Sequence, residues 1–408
     1  MFHPALLAGH GDSEEDKQRP TLEVADIFRH YHAEYQLDQA VSYEQQKAIN
    51  AILQCRTAAL GGHVDQCDQC GAKEISYNSC RNRHCPKCQT IKKLRWIKQR
   101  EAELLPVPYF HVVFTLPHEL NALVRSNQPL FYNLLFKAVS ETLLAFGRDT
   151  KRLGGEVGAT LVLHTWGQNV SLHPHIHCIV PGGALTNDSR WIQAKSNYLF
   201  PVKAMARYFR ARYLKLLFSP SIQNKLKFHG KSQCYTDPSE LNRLKELLWQ
   251  KNWVVYAKKP FAGPKQIINY LSNYTHRIAL SNHRLIKDEN GKISFYWRDY
   301  SDENKTKIMT LDAKEFMRRY LQHVLPSGFT RIRQIGFLAN RYRTDKLNQC
   351  RAALNFKPEP VIEESIDQLL WRVYQLDIHR CTHCETGTKK TIGTLPNLYE
   401  PSRGHDTS

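Results

Sequence analysis

The sequence predicts an α+β protein: a ferredoxin-like antiparallel sheet with helices, preceded by a helical and zinc-ribbon-like domain. Two observations carry that expectation. Between Tyr109 and Val180 a strand, a long amphipathic helix and two further strands follow one another, the βαββ order of such a layer. Ahead of them, cysteines recur in closely spaced pairs, the ligand pattern of a small zinc-stapled domain.

Residues 1–20 are polar, hold Asp12, Glu14, Glu15 and Asp16, and read as a flexible tail. A helical and zinc-binding domain is expected at 21–100. Leu22 to Leu53 has helical periodicity, with Phe28, Tyr31 and Tyr35 on one face. Cys67-Asp68-Gln69-Cys70 and Cys85-Pro86-Lys87-Cys88 are two CxxC knuckles separated by 14 residues. That is close to four-cysteine zinc spacing, so Cys67, Cys70, Cys85 and Cys88 are expected to hold one structural zinc. Gly71 follows the first knuckle, where a tight turn needs it. Cys55, His63, Cys80 and His84 lie nearby and either form a second site or replace a knuckle member; spacing does not choose. Cys381-Thr382-His383-Cys384 has the form of a third knuckle without a matching downstream pair. Eleven cysteines and no export signal point to reduced thiols or metal ligands rather than disulfides.

The catalytic block is expected at 105–300. Tyr109 to Pro117 reads as a strand, Ala159 to Trp166 as a second and Pro174 to Val180 as a third. Glu119 to Phe146 carries Leu134, Leu135, Val139, Leu143 and Leu144 at helical spacing. Residues 187–251 read as a basic insertion into this fold. Trp253 to Tyr256 then reads as a strand, Gly263-Pro264 opens a helix, and Arg284 to Asp299 is a hairpin around Asn290-Gly291. The remainder, 313–408, reads as a basic, largely helical C-terminal region.

The chemistry concentrates at four residues. His175 and His177 are two apart on a strand and face the same way, so they can share one divalent cation. Tyr270 and Tyr274 are four apart in a helical stretch and share a face. Each pair alone is most often packing; together they are a metal and a nucleophile for phosphodiester cleavage through a phosphotyrosine. His164 or Gln168, near the end of the preceding strand, and Gln266, one turn before Tyr270, are the candidate third ligands. His173 is not, because three ligands along one extended strand span about 13 Å.

Phe114-Thr115-Leu116-Pro117, Leu172-His173-Pro174-His175-Ile176-His177 and Tyr270-Leu271-Ser272-Asn273-Tyr274-Thr275-His276-Arg277 resemble, in order, the three motifs of the two-tyrosine HUH transposases of the insertion-sequence-91 family. The likeness begins near Leu22 and includes the cysteine-rich block. It implies an HUH-endonuclease fold and rolling-circle transposition. Tyr270 and Tyr274 would cut single-stranded DNA in turn, a structural zinc would sit in the amino-terminal domain, and magnesium or manganese would serve the histidines. A replication initiator or relaxase would share the site but normally lacks the cysteine block. A non-catalytic zinc protein would not need both residue pairs, and a phage-type tyrosine recombinase uses Arg and His in place of a metal.

Composition agrees with a DNA partner. Lys and Arg number 57 against 38 Asp and Glu, a formal net charge of +19, which favours a polyanion. Two stretches are basic and free of acids. Arg81 to Arg100 includes Arg81, Arg83, Lys92, Lys93 and Arg95; Lys203 to Lys231 includes Arg207, Arg210 and Arg212, interleaved with Tyr208, Phe209 and Tyr213. Cations can follow phosphates while aromatic rings stack on unpaired bases, although the aromatics fit a core equally well. No run has the roughly 18 apolar residues of a membrane span, so the expected setting is the bacterial cytoplasm, at the nucleoid. Oligomeric state is not legible.

Overall fold

The structure is a computed structural model and describes residues 20–195, 197–258, 278–358 and 363–398. They fall into two units, one from Ile97–Ala279 and Leu325–Glu359, the other from Asp12–Trp96, Leu280–Val324 and Pro360–Ser408. The tail expected at 1–20 lies, except for Pro20, outside the described residues.

In the second unit the chain begins with α1 (Val24–Asp38) and α2 (Tyr43–Gln54). Ser42 starts α2 by accepting from Gln45 N at 3.2 Å while its own N donates to Gln45 Oε1 at 2.9 Å, which satisfies two backbone donors left over at a helix start. Phe28 and Tyr35 are buried, whereas Tyr31, on the same face, donates its hydroxyl to Asp288 at 2.7 Å. The antiparallel hairpin β1 (Gly62–Cys67) and β2 (Lys73–Tyr77) follows, turning through Gly71 at φ +69°. Next comes α3 (Thr90–Glu101), within which the boundary between the units falls.

The first unit is built on an antiparallel sheet. β3 (Tyr109–Thr115) leads into the helices α4 (Asn121–Ser126) and α5 (Gln128–Arg148), then the hairpin β4 (Ala159–Trp166) and β5 (Leu172–Pro181). The helix expected from Glu119 onward breaks at Asn127 for a specific reason. Its buried amide donates to Leu123 O at 3.0 Å and Lys227 O at 2.8 Å and accepts from Lys227 N at 2.8 Å, so the break pins a distant loop. The short strands β6 (Gly183–Leu185) and β7 (Trp191–Gln193), helices α6 (Val202–Leu217), α7 (Pro220–Gln223) and α8 (Pro238–Gln250), and strand β8 (Val255–Lys258) complete this run.

Residues 187–251 do not merely interrupt the fold. Met205, Phe209 and Tyr213 of α6 are fully buried in the same core as Phe114, Leu135 and Ile176. The Phe209 ring meets Phe114 at 5.1 Å and Trp253 at 5.3 Å, both near edge-on. Interleaving of basic and aromatic residues here is therefore amphipathicity: Phe209 and Tyr213 face in, Lys203, Arg207, Tyr208 and Lys215 face out.

The chain then leaves for the second unit. β9 (Leu285–Glu289) and β10 (Lys292–Asp299) turn through Asn290 and Gly291, both with positive φ (52° and 72°), the two-residue turn whose twist suits a hairpin. β11 (Lys305–Asp312) pairs with β10, and α9 (Ala313–Leu321) follows, with Phe316 and Tyr320 buried. β12 (Ile332–Ile335) and α10 (Arg343–Ala353) belong to the first unit; α11 (Ile366–Tyr374) and β13 (Lys389–Leu395) belong to the second. The region 313–408 thus contributes to both units, and within the block expected at 105–300 the division between units falls after Ala279. β12 edges the five-stranded sheet of the first unit, ordered β12-β4-β5-β3-β8, and β13 edges a three-stranded sheet of the second, ordered β13-β1-β2. Short strands satisfy their backbone groups only beside a partner, and these two find partners in opposite units.

Candidate active site and metal centres

β5 lies at the centre of its sheet, between β4 and β3. Alternation gives it one face for the core and one for chemistry: Ile176, Cys178 and Val180 join the hydrophobic core, and His175 and His177 face the other way. Register brings their neighbours onto that same face. His175 stands opposite His164 on β4 and Thr115 on β3; His177 stands opposite Val162 and Val113. The β4–β5 register shifts between His164 and Trp166, and Pro174, which has no N–H to leave unpaired, occupies the β5 side of that irregularity.

One ligand atom from each of His164, His175 and His177 lies within 4.8 Å of the others. All three are almost fully shielded from solvent. His175 Nδ1 is 2.6 Å from the carbonyl oxygen of His173, so Nδ1 carries the proton and Nε2 keeps its lone pair. That Nε2 is 3.0 Å from His177 Nε2. Two nitrogens held about 2.1 Å from one ion, at right angles, stand about 3.0 Å apart. The donor set therefore fits a divalent cation. Trp166 stacks on His164, ring centroids 4.7 Å apart and planes within 16°, which fixes the third imidazole. Gln168 is half-buried beyond it; Gln266, Tyr270 and Tyr274 lie outside the described residues.

Sequence reading missed His111. It is on β3, buried, with Nε2 at 2.8 Å from His177 Nδ1 and its ring stacked at 5.1 Å on His177. Burial, reinforced by the charge of Lys258, pushes its pKa down to about 3, so it is neutral. For His177 Nε2 to meet a cation, His177 Nδ1–H must donate to His111 Nε2, the usual outer partner of a metal-bound imidazole. The signal was the period-2 face shared by His111, Val113 and Thr115, but the pairing of β3 with β5 that brings His111 to His177 joins strands far apart in the chain.

The cysteines group differently from expectation. Cys67 and Cys70 do not share a site with Cys85 and Cys88. Cys55, Cys80, Cys85 and Cys88 form one cluster, and Cys67, Cys70, Cys381 and Cys384 form another. The reason is topological: the first knuckle caps the β1–β2 turn, and the edge strand β13 brings the last knuckle beside it, while the chain after β2 returns to Cys55 at the end of α2. In the first cluster Cys80 and Cys88 have their sulfurs 3.7 Å apart, and Lys87 N donates to Cys85 Sγ at 3.4 Å. Thiolates about 2.3 Å from one tetrahedral zinc stand about 3.8 Å apart, so the residues fit that ion. Hydrogen bonds from Cys80, Cys85 and Cys88 hold the Cys55 thiol far below its ordinary range. Neither His63 nor His84 belongs to a cluster among the described residues.

The basic residues divide. Arg81, Lys92 and Arg95 are exposed, Arg83 and Lys93 half-buried. Arg207 is exposed, but Arg212 binds both carboxylate oxygens of Glu141, and Arg210 donates to Lys251 O at 2.9 Å with its guanidinium 5.7 Å from the Trp249 ring centre. Arg210 and Arg212, expected to track DNA, also bind α6 to its own unit.

Stretches of both units match known sequence families. Residues 158–346 match the sequence family described as "Putative transposase", and residues 27–116 match the transposase zinc-binding domain. The chain is 44% identical over 392 residues to the "Putative transposase y4qJ" of Sinorhizobium fredii, covering 95% of this chain and 98% of that one. It is 27% identical over 350 residues to the transposase for insertion sequence element IS801 of Pseudomonas savastanoi pv. phaseolicola, covering 83% and 81%. A solved structure of the conjugative relaxase TRWC in complex with oriT DNA matches at 15% identity and a TM-score of 0.22, over 62% of this chain and 95% of that one. The protein is a transposase. It belongs to the insertion-sequence-91 family. No helix among the described residues is long and apolar enough to cross a membrane.

Proposed function

We propose that this transposase cuts and rejoins single-stranded DNA at the ends of its element through a covalent 5′-phosphotyrosine, the chemistry of rolling-circle transposition. The observation that carries the reading is the convergence of His164, His175 and His177 on one point of the sheet face. Tyr270 or Tyr274 attacks the scissile phosphorus, the bond to the 3′ oxygen breaks, and that oxygen leaves as a 3′ hydroxyl. The tyrosine proton passes to solvent. Attack by another 3′ hydroxyl reverses the step and rejoins strands without ATP. His164, His175 and His177 would hold a divalent cation, which would supply positive charge to neutralise the scissile phosphate. Magnesium or manganese is the expected ion; of the two, manganese, a first-row transition metal, tolerates nitrogen donors better.

The strand reaches the centre along β8. Pairing of β8 with β3 sets Tyr256 opposite Val113 and Lys258 opposite His111, so both share the face of the histidines. Val254 is 60% and Tyr256 51% exposed, in contrast to the buried imidazoles two strands away. An exposed ring beside a lysine, next to a shielded centre, is suited to stack one base and hold one phosphate of an entering strand. Incubating the protein with 3′-labelled single-stranded element ends, with manganese or with EDTA, tests the function. The reading requires a labelled protein adduct in denaturing gels with manganese alone; an adduct undiminished by EDTA contradicts it.

A further inference from the structure

The transposase zinc-binding domain matches residues 27–116, yet half of one cysteine cluster lies far beyond it. We infer that Cys67, Cys70, Cys381 and Cys384 form a second zinc site, a clasp that fastens the carboxy-terminal strand β13 to the β1–β2 hairpin.

Sulfur spacing is the first support. Cys67 Sγ is 3.6 Å from Cys384 Sγ, and Cys70 Sγ is 3.7 Å from Cys381 Sγ, near the roughly 3.8 Å between thiolates on one tetrahedral zinc and far beyond the roughly 2.05 Å of a disulfide. The backbone around the sulfurs is the second. Gln69 N and Cys70 N point at Cys67 Sγ (3.4 and 3.5 Å), His383 N at Cys381 Sγ (3.4 Å) and Gly387 N at Cys384 Sγ (3.3 Å). Donors aimed at sulfur offset the negative charge that four thiolates on one divalent ion leave behind. Space is the third. A Cβ at Gly387 would lie 2.3 Å from Cys67 Sγ, so only glycine lets the last loop close against the first knuckle.

The strand pairing explains what the clasp does. β13 runs antiparallel to β1 from Gly62 opposite Leu395 to Cys67 opposite Lys389. Beyond the ladder, Asp68 N donates to Thr388 O at 3.1 Å and Thr388 N to Asp68 Oδ1 at 2.8 Å. These bonds join segments 317 residues apart between Cys67 and Cys384, and closing so long a loop costs chain entropy that a metal cross-link offsets. Each cluster has two buried cysteines, and they differ in the outer pair: Cys80 and Cys88 are both half-buried, whereas in the clasp Cys384 is half-buried and Cys70 is exposed. The clasp is therefore the zinc that a chelator reaches first, and its removal frees β13.

Metal analysis of the full chain, purified reduced, should find about two zinc ions. The Cys381→Ser/Cys384→Ser variant should retain about one, and so should Gly387→Ala, which keeps every thiol. On the unaltered protein, a chromogenic chelator should withdraw zinc in two phases, with trypsin cleavage at Lys389 and Lys390 accelerating during the first. A single zinc in the unaltered protein overturns the inference whatever the variants do. So does a Cys381→Ser/Cys384→Ser chain that still carries two, zinc lost in one phase with no change in cleavage, or a Cys67–Cys384 disulfide in the reduced preparation.

Discussion

The histidine centre and the cysteine clasp both gather ligand atoms within 4.8 Å of one another, but they are assembled in opposite ways. His164, His175 and His177 come from one hairpin, where period-2 alternation and hairpin register leave little else to decide. Cys67 and Cys384 are 317 residues apart and meet only because two strands at opposite ends of the chain pair. A site written into local geometry survives changes elsewhere; one that rests on long-range closure fails with any element that closes it. The surroundings differ too: the histidines share their sheet face with the exposed Tyr256 and Lys258 of the edge strand β8, while the cysteines face one another.

The largest expected effect follows from removing the local centre. Changing His175 and His177 to Ala should lower adduct formation by about 10³-fold or more, the loss of several kcal/mol of charge stabilisation. Binding of single-stranded DNA should stay within about threefold, because cations elsewhere supply most of the affinity. Comparable losses in both assays would show that the histidines support the fold and not the chemistry. Next in size is His111→Ala, which leaves all three ligands in place but removes the partner of His177 Nδ1. It should raise the manganese concentration for half-maximal cleavage by about 10- to 100-fold, with the deficit relieved by excess manganese; a deficit that excess metal leaves untouched would deny His111 its positioning role.

Tyr256→Ala tests the approach along β8. Loss of one stacked base should weaken single-strand binding by about 5- to 160-fold, equivalent to about 1–3 kcal/mol, and leave zinc content unchanged. Unaltered affinity would move the strand's path away from β8. The smallest effect should come from the outer face of α6. Neutralising Lys203, Arg207 and Lys215 to Gln should reduce the salt slope of binding by about 0.7 per lost phosphate contact, with no change in unfolding midpoint. By contrast Phe209→Ala, on the inner face, should destabilise the unit by about 3–5 kcal/mol in denaturant titrations. A salt slope that ignores the three neutralised cations would leave α6 a purely structural helix.

What was legible in the sequence tracks the same division. β4 begins and ends where Ala159 and Trp166 were expected to bound it, and Asn290-Gly291 turns its hairpin as read, because alternation and turn chemistry act over a few residues. His164 was recognisable as a candidate ligand because its position near the end of β4 is set by the hairpin. His111 was not, because β3 meets β5 only after α4 and α5 have returned the chain. Nearest-neighbour spacing paired the knuckle at Cys67 with that at Cys85, and the fold paired it with Cys381 instead. The basic run of Arg207, Arg210 and Arg212 looked uniform in sequence, yet Glu141 and Lys251, which engage two of the three, lie in other helices or loops.

The most direct measurement is to trap the covalent adduct on a single-stranded element end, digest it, and locate by mass spectrometry the peptide that carries the 5′-phosphorylated DNA. The account predicts attachment at Tyr270 or Tyr274, residual adduct when either is changed singly to Phe, and none when both are. DNA attached to any other residue, or an adduct that persists in the double Phe variant, would contradict it.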